Sequence, residues 1–191
     1  MSLEKPALPP NEATPPEKEL AWGKKLAHVD TIADRLGKGV EQDIKETVAI
    51  FLIYDFSTSQ SCEGHITEIG KEQRQAFYPW VDFDVSDSKK TGGLSDEEKI
   101  KLLEDCEPKN LRQQQKLMSL LEEFYRDRIT PFDTRLTFSG NGAFGGFRLL
   151  SFGARIMDLL SHEEKLQKLK LYQKEMHDFT EFLKAKYFSQ E

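Results

Sequence analysis

The stretch RLTFSGNGAFGGFRLLSF, residues 135–152, indicates most clearly which kind of fold this chain adopts. Two short runs rich in apolar residues, 135–138 and 147–152, flank a glycine-rich segment at 139–146. This pattern predicts two antiparallel strands joined by a hairpin loop, because glycine readily takes the positive φ angles of tight turns. The sheet is therefore expected to be antiparallel at this point.

Two further strands are predicted upstream of the hairpin. Residues 79–85, PWVDFDV, alternate between apolar and polar side chains, as in a half-buried strand. One predicted face carries Val81, Phe83 and Val85, and the other carries Trp80, Asp82 and Asp84. Residues 56–62, FSTSQSC, read as another strand, which leads into a turn at Gly64.

Helical patterns surround these strands. Apolar residues recur every three or four positions, and two capping boxes begin at Ser95 and Ser161. The predicted helices cover 17–28, a short turn at 31–36 stopped by Gly37, 41–55, 95–106, 110–127 and a long C-terminal helix from Ser161 onwards. Pro108 is predicted to separate two of these helices, because proline removes a backbone donor and clashes with the preceding turn.

Two helices carry clear apolar stripes. The helix at 110–127 is predicted to bury Leu111, Leu117, Met118, Leu121, Phe124 and Tyr125. The C-terminal helix is predicted to bury Leu166, Leu169, Tyr172, Met176, Phe179, Leu183 and Tyr187. Both helices should therefore pack on the core with these faces.

The order of elements predicts an α+β domain: a small, mainly antiparallel sheet flanked by helices, with a long C-terminal helix. Five of the 8 prolines lie within the first 16 residues, where they oppose both helix and sheet pairing. We therefore predict a disordered, proline-rich tail at 1–15 and one folded domain at 16–191.

The composition limits which classes of binding partner and which cellular compartment are expected for this chain. With 27 Lys+Arg and 33 Asp+Glu, the net charge of −6 argues against nucleic acid and anionic membranes as partners. No apolar run approaches the ~18–20 residues that cross a bilayer, and the N-terminus lacks the apolar core of a secretory signal. A cytoplasmic location with both cysteines reduced is therefore expected.

The main candidate site is Ser61-Cys-Glu-Gly-His65, where a strand meets a turn. In one interpretation, Cys62 and His65 bind a divalent metal such as zinc, and Asp82 or Asp84 completes the site. In a second, Cys62 is a catalytic nucleophile, His65 its base and Asp82 an acid or base.

Two other interpretations of the same turn remain open. The turn could bind a ligand through Glu63 and His65, with Gly64 allowing the ligand to approach the backbone closely. Alternatively, Cys62 is only a small buried residue and Gly64 only makes the turn.

Three residues elsewhere could extend this site. Arg148 lies between apolar residues of a predicted strand and needs an acidic partner, either Asp82 or Asp84 in a structural ion pair or a ligand anion. The ion pair is the favoured interpretation. Trp80 shares the polar strand face with Asp82, where it suits either stacking on a ligand or packing.

The glycine-rich loop matches G-x-G-x-x-G at Gly140, Gly142 and Gly145. A dinucleotide site requires a helix after this motif, whereas a strand is predicted here. A protein kinase is excluded, because no His-Arg-Asp or Asp-Phe-Gly motif follows. A hairpin loop is the favoured interpretation, and an anion-binding loop assisted by Arg148 is the alternative.

Four blocks of this sequence resemble a group of uncharacterised bacterial proteins. The blocks are Asp43-Ile-Lys-Glu-Thr-Val48, Thr58-Ser-Gln-Ser-Cys-Glu-Gly-His65, Pro79-Trp-Val-Asp82 and Gly145-Gly-Phe-Arg-Leu149. The resemblance covers about residues 30–155 and implies a bacterial protein without implying an activity.

The block around Cys62 is also similar to the Ser-Ser-Cys-Ser-Gly-Arg block of wybutosine-synthesis methyltransferases of the third-step type. Here Glu63 stands in place of the serine and His65 in place of the arginine. The resemblance implies an enzyme that uses S-adenosylmethionine to modify tRNA.

The favoured prediction is a ligand- or metal-binding domain, open to enzymatic activity, with a pocket around the Ser-Cys-Glu-Gly-His turn. In that pocket Glu63, Gly64, Trp80 and Arg148 would bind a small or anionic ligand. One alternative is a non-catalytic module that binds a protein partner, and another is a nucleotide- or tRNA-modifying enzyme. An exposed apolar stripe on the C-terminal helix would favour the protein-binding module.

Overall fold

A computed structural model describes residues 15–33, 37–66, 76–86 and 93–189. The predicted tail at 1–15 lies outside these residues except for Pro15, at which the first helix begins. Part of the predicted helical turn at 31–36 also lies outside them.

Helices form most of the described structure. They are α1 (Pro15–Val29), α2 (Lys45–Ile53), α3 (Asp96–Tyr125) and α4 (His162–Ser189). Short 3₁₀ segments precede α2 at Gln42–Ile44 and precede α4 at Phe152–Leu159. None of the helices in the described part of the chain is long and apolar enough to cross a membrane.

Four strands form one antiparallel sheet. They are β1 (Thr58–Cys62), β2 (Trp80–Phe83), β3 (Leu136–Asn141) and β4 (Gly146–Ser151), in the spatial order β1-β2-β4-β3. The register places Cys62 opposite Trp80 and Asp82 opposite Arg148. These observations confirm the α+β prediction, with the hairpin as β3–β4 and β1 as an edge strand.

The core lies between one face of the sheet and the helices. Phe83 and Phe147 stack with ring centroids 4.9 Å apart, and Phe51 of α2 meets Phe83 edge-on at 5.0 Å. All three rings are at most 2% exposed. Because alternate strand residues point to opposite faces, Cys62, Trp80, Asp82 and Arg148 share the other face of the sheet.

The predicted break at Pro108 is wrong, because α3 continues through it as one helix of 30 residues. An interior proline costs about 3 kcal/mol, so tertiary contacts must outweigh it. Asn110 provides such contacts: its Nδ2 donates to the Phe144 carbonyl at 2.9 Å, and its Oδ1 accepts from the Val85 amide at 3.0 Å. Asn110 is fully buried, so these bonds hold the helix in place directly after the proline.

The predicted stripes are partly wrong. On α3, Leu111 and Met118 are 50% and 45% exposed, whereas Leu117, Leu121 and Phe124 are buried as predicted. A continuous helix buries only one narrow face, and the extra residues fall outside it. On α4, Leu166 is exposed, Tyr187 is half-buried and the other five predicted residues are buried. Leu166 lies in the first turns of α4, where the fold does not cover it.

Candidate metal centre

The turn after β1 is held tightly from two sides. The His65 amide donates to the carbonyl of Ala76 at 2.8 Å, and Gln173 Nε2 of α4 donates to the carbonyl of Glu63 at 3.0 Å. Gly64 is buried and has φ of +83°, as the sequence predicted for this turn. The conformation of the turn is therefore fixed by both its neighbouring segment and α4.

Cys62 and His65 meet a third group that the sequence did not point to, Glu41. One ligand atom from each of the three side chains lies within 4.8 Å of the other two. His65 Nε2 lies 2.7 Å from Glu41 Oε1. All three residues are half-buried, so they form a compact sulfur, nitrogen and oxygen donor set at the end of β1.

Glu41 is charged at neutral pH. Burial acts to raise its pKa, but hydrogen bonds from Lys38, from the Glu63 amide and from His65 outweigh burial and lower the pKa to about 2. The Glu63 amide donates to Glu41 Oε2 at 2.9 Å, and the Glu41 side chain is only 12% exposed. A preformed, oriented carboxylate is what a metal site requires.

Glu63 stands on the far side of the imidazole. Its Oε1 lies 3.9 Å from His65 Nδ1, and its Oε2 accepts the Asp43 amide at 2.9 Å. In metal sites, a ligating histidine usually turns its second nitrogen towards a carboxylate or carbonyl, which orients the ring. At 3.9 Å the two atoms are too far apart for a hydrogen bond, so Glu63 would have to move closer to orient the ring in this way.

The Cys62 thiol is protonated at neutral pH in the metal-free protein. Burial raises its pKa to about 11, and the nearby Glu41 carboxylate adds to this effect. The Gly64 amide, 3.4 Å from Sγ, acts in the opposite direction. A reactive cysteine needs a depressed pKa, so this environment does not support the nucleophile interpretation.

We therefore expect slow alkylation of Cys62 by iodoacetamide in metal-free protein. The rise of the pKa from 9.0 to about 11 lowers the thiolate fraction at pH 7 by about 100-fold, and the higher nucleophilicity of a basic thiolate compensates only in part. The measured rate should be at least about tenfold below that of the same thiol in urea-unfolded protein. It should rise with pH towards about 11, whereas a plateau near pH 7 would contradict the raised pKa.

Asp82 lies away from this cluster, in the ion pair with Arg148 that the sequence favoured. Arg148 Nε donates to Asp82 Oδ1 at 2.6 Å, and Nη2 donates to Oδ2 at 2.9 Å. Asp82 is only 2% exposed. The third donor beside Cys62 and His65 is thus Glu41 rather than Asp82 or Asp84, the latter being bonded to Ser86 and Asn110.

A pocket of about 450 Å³ adjoins the cluster of Glu41, Cys62 and His65. All five residues of β1 line it, together with Glu41, Trp80 and Arg148. The Arg148 guanidinium stacks on the Trp80 ring at 3.7 Å from its centroid. The structure thus brings Cys62, Trp80 and Arg148 to one pocket, whereas His65, Glu63 and Asp82 do not line it.

No protein-family model, curated protein or solved structure matches this chain.

Proposed function

We propose that this protein binds one Zn²⁺ through Glu41, Cys62 and His65, and that the metal offers its fourth coordination position to a ligand in the adjoining pocket. The observation that carries the proposal is the convergence of three different donor atoms within 4.8 Å. The protein would then act as a metal-dependent ligand-binding domain. The same arrangement suits an enzyme, because catalytic zinc sites have three protein ligands and one open position.

The donor set favours zinc over the common hard cations. Ca²⁺ and Mg²⁺ take oxygen ligands, whereas zinc accepts thiolate, imidazole and carboxylate together. Glu63 and the Gly64 amide supply contacts beyond the ligands, to His65 and to the Cys62 sulfur. Lys38, which bonds Glu41 at 2.5 Å, has a side chain that is 65% exposed, and a metal cation would take its place beside the carboxylate.

A zinc titration tests the proposal directly. Chelator-treated protein, titrated against a chromophoric zinc indicator, should bind one equivalent of Zn²⁺. Substitution with Co²⁺ should then give a thiolate-to-cobalt charge-transfer band together with the visible bands of a four-coordinate ion. Failure to bind either ion at one equivalent, in protein that is shown to be folded, would overturn the proposal.

The protein-binding alternative receives less support from the described residues. The feature that would favour it is an exposed apolar stripe on α4, yet five of the seven stripe residues are buried in the core. Of the other two, Tyr187 packs against the core and only Leu166 is exposed.

A further inference from the structure

We propose that the pocket beside the metal centre binds a small organic anion, whose carboxylate or phosphate group contacts Arg148 while a second donor of the same molecule completes the zinc coordination. This inference rests on the proposed zinc site, because the anion bridges Arg148 and the metal. The ligand would be a small organic anion, and Arg148 would select it.

Arg148 is held as a preformed anion-binding group. Asp82 fixes the guanidinium through two hydrogen bonds, at 2.6 and 2.9 Å, and Trp80 supports its flat face at 3.7 Å. Little rotamer entropy is then left to lose when a ligand binds. Tyr78 also interacts with the guanidinium, but the Arg148 side chain is 27% exposed and lines the pocket, so part of the guanidinium is accessible to a carboxylate or phosphate.

The charge of the pocket favours an anion. Among the described residues that line it, only Lys38, Glu41 and Arg148 carry charge. A bound Zn²⁺ with the Cys62 thiolate would add one net positive charge, which takes the place of the Lys38 charge when the metal displaces that side chain from Glu41. Asp82 is buried and does not line the pocket, but its carboxylate offsets part of the Arg148 charge. The attraction for an anion therefore comes mainly from the bound metal and from the N–H groups of Arg148 that Asp82 does not use.

The size and the walls of the pocket indicate an organic molecule rather than an inorganic ion alone. A volume of about 450 Å³ lies in the range of small-molecule sites. Ser59, Gln60 and Ser61 of the edge strand β1 offer polar groups along one side, and Val40 and Val48 offer apolar surface. The ligand is therefore expected to carry an anionic end and a short body of mixed polarity.

The test uses the full chain loaded with Zn²⁺ or Co²⁺, with three probes: succinate, inorganic phosphate and succinamide. Succinamide is the neutral counterpart of succinate. We expect succinate or phosphate to bind in calorimetric titrations of the zinc protein and to shift the visible spectrum of the cobalt protein, and we expect succinamide to do neither. The anion that binds more tightly identifies the anionic group as a carboxylate or a phosphate.

Arg148→Lys provides the matching variant, because it preserves a positive charge for the buried Asp82 and should keep the fold. It should weaken anion binding by at least about tenfold, through loss of the planar fork, and leave the zinc affinity unchanged. Arg155→Lys, at an exposed position, is the control and should alter neither.

The outcomes separate the two proposals. Zinc binding without anion binding overturns the present inference and leaves the zinc site standing. Equal anion affinities in the wild type and Arg148→Lys also overturn it, because the anion would then be held by the metal alone. Absence of zinc binding overturns both.

Discussion

Alanine at Cys62 or at His65 is expected to lower the affinity for Zn²⁺ by at least about 100-fold. Each substitution removes one of the three protein ligands of the proposed zinc site, and loss of an outer contact alone commonly costs 10–100-fold in metal affinity. The measurement is a competition titration against a chromophoric indicator at a fixed pH. Glu41→Gln should show a comparable loss, because a neutral amide replaces a carboxylate that is charged at neutral pH.

Both alanine variants should remain folded. His65 is 35% exposed and Cys62 is only half-buried at the end of an edge strand, so neither leaves a large cavity. Cys106→Ala is the matched control, because it removes the other cysteine, which is buried in α3, without touching the site. Unfolding of both site variants would show that these residues are structural, and an unchanged zinc affinity would place the metal elsewhere.

The sheet could be predicted from sequence because its determinants are local. Apolar and polar side chains alternate at 79–85, which indicates a strand directly. The glycine-rich loop between two apolar runs likewise indicates the turn of a hairpin. The hairpin loop is shorter than predicted, at 142–145, because β3 and β4 extend to Asn141 and from Gly146. Strand ends depend on the partner strand, which the local sequence does not reveal.

The continuity of α3 could not be predicted in the same way. A proline in a helix is a local obstacle, and the contacts that overcome it are distant in sequence. Asn110 bonds to Asp84 and to the Phe144 carbonyl, which lie 26 and 34 residues away. The local sequence pattern reveals the energetic cost of Pro108 but not the distant hydrogen bonds that outweigh this cost.

The candidate site could likewise be predicted only where its residues are linked by local sequence patterns. Cys62 and His65 could be found because they stand three positions apart in one turn. The pairing of Asp82 with Arg148 could be anticipated, because a half-buried arginine requires an acid. Glu41 could not be anticipated. It lies 21 positions before Cys62, just ahead of a helix, and reaches the site only after the chain folds against β1. The carboxylate beside Cys62 and His65 is therefore that of Glu41, whereas Asp82 and Asp84 bond to other partners.

Gly64→Ala is expected to reduce the free energy of unfolding by about 2–5 kcal/mol, since two costs combine. The residue has φ of +83°, which a side chain disfavours by roughly 1–2 kcal/mol. An added Cβ would also lie 2.7 Å from Leu169 Cδ1 and from the backbone carbon of Tyr78, and 2.9 Å from the Pro79 nitrogen. Backbone atoms cannot rotate away, so the turn itself would have to move.

Gly142→Ala separates these two costs. Gly142 has a similar φ of +71°, but its nearest neighbour would be Asp84 Oδ2 at 3.8 Å, which is ordinary contact. Urea unfolding followed by tryptophan fluorescence should show a loss of only about 1–2 kcal/mol for Gly142→Ala. Equal losses for the two variants would contradict the close packing around Gly64. Because Gly64 lies between Cys62 and His65, displacement of the turn should weaken binding at the proposed zinc site only for Gly64→Ala. That result would tie the rigidity of the turn to the geometry of this site.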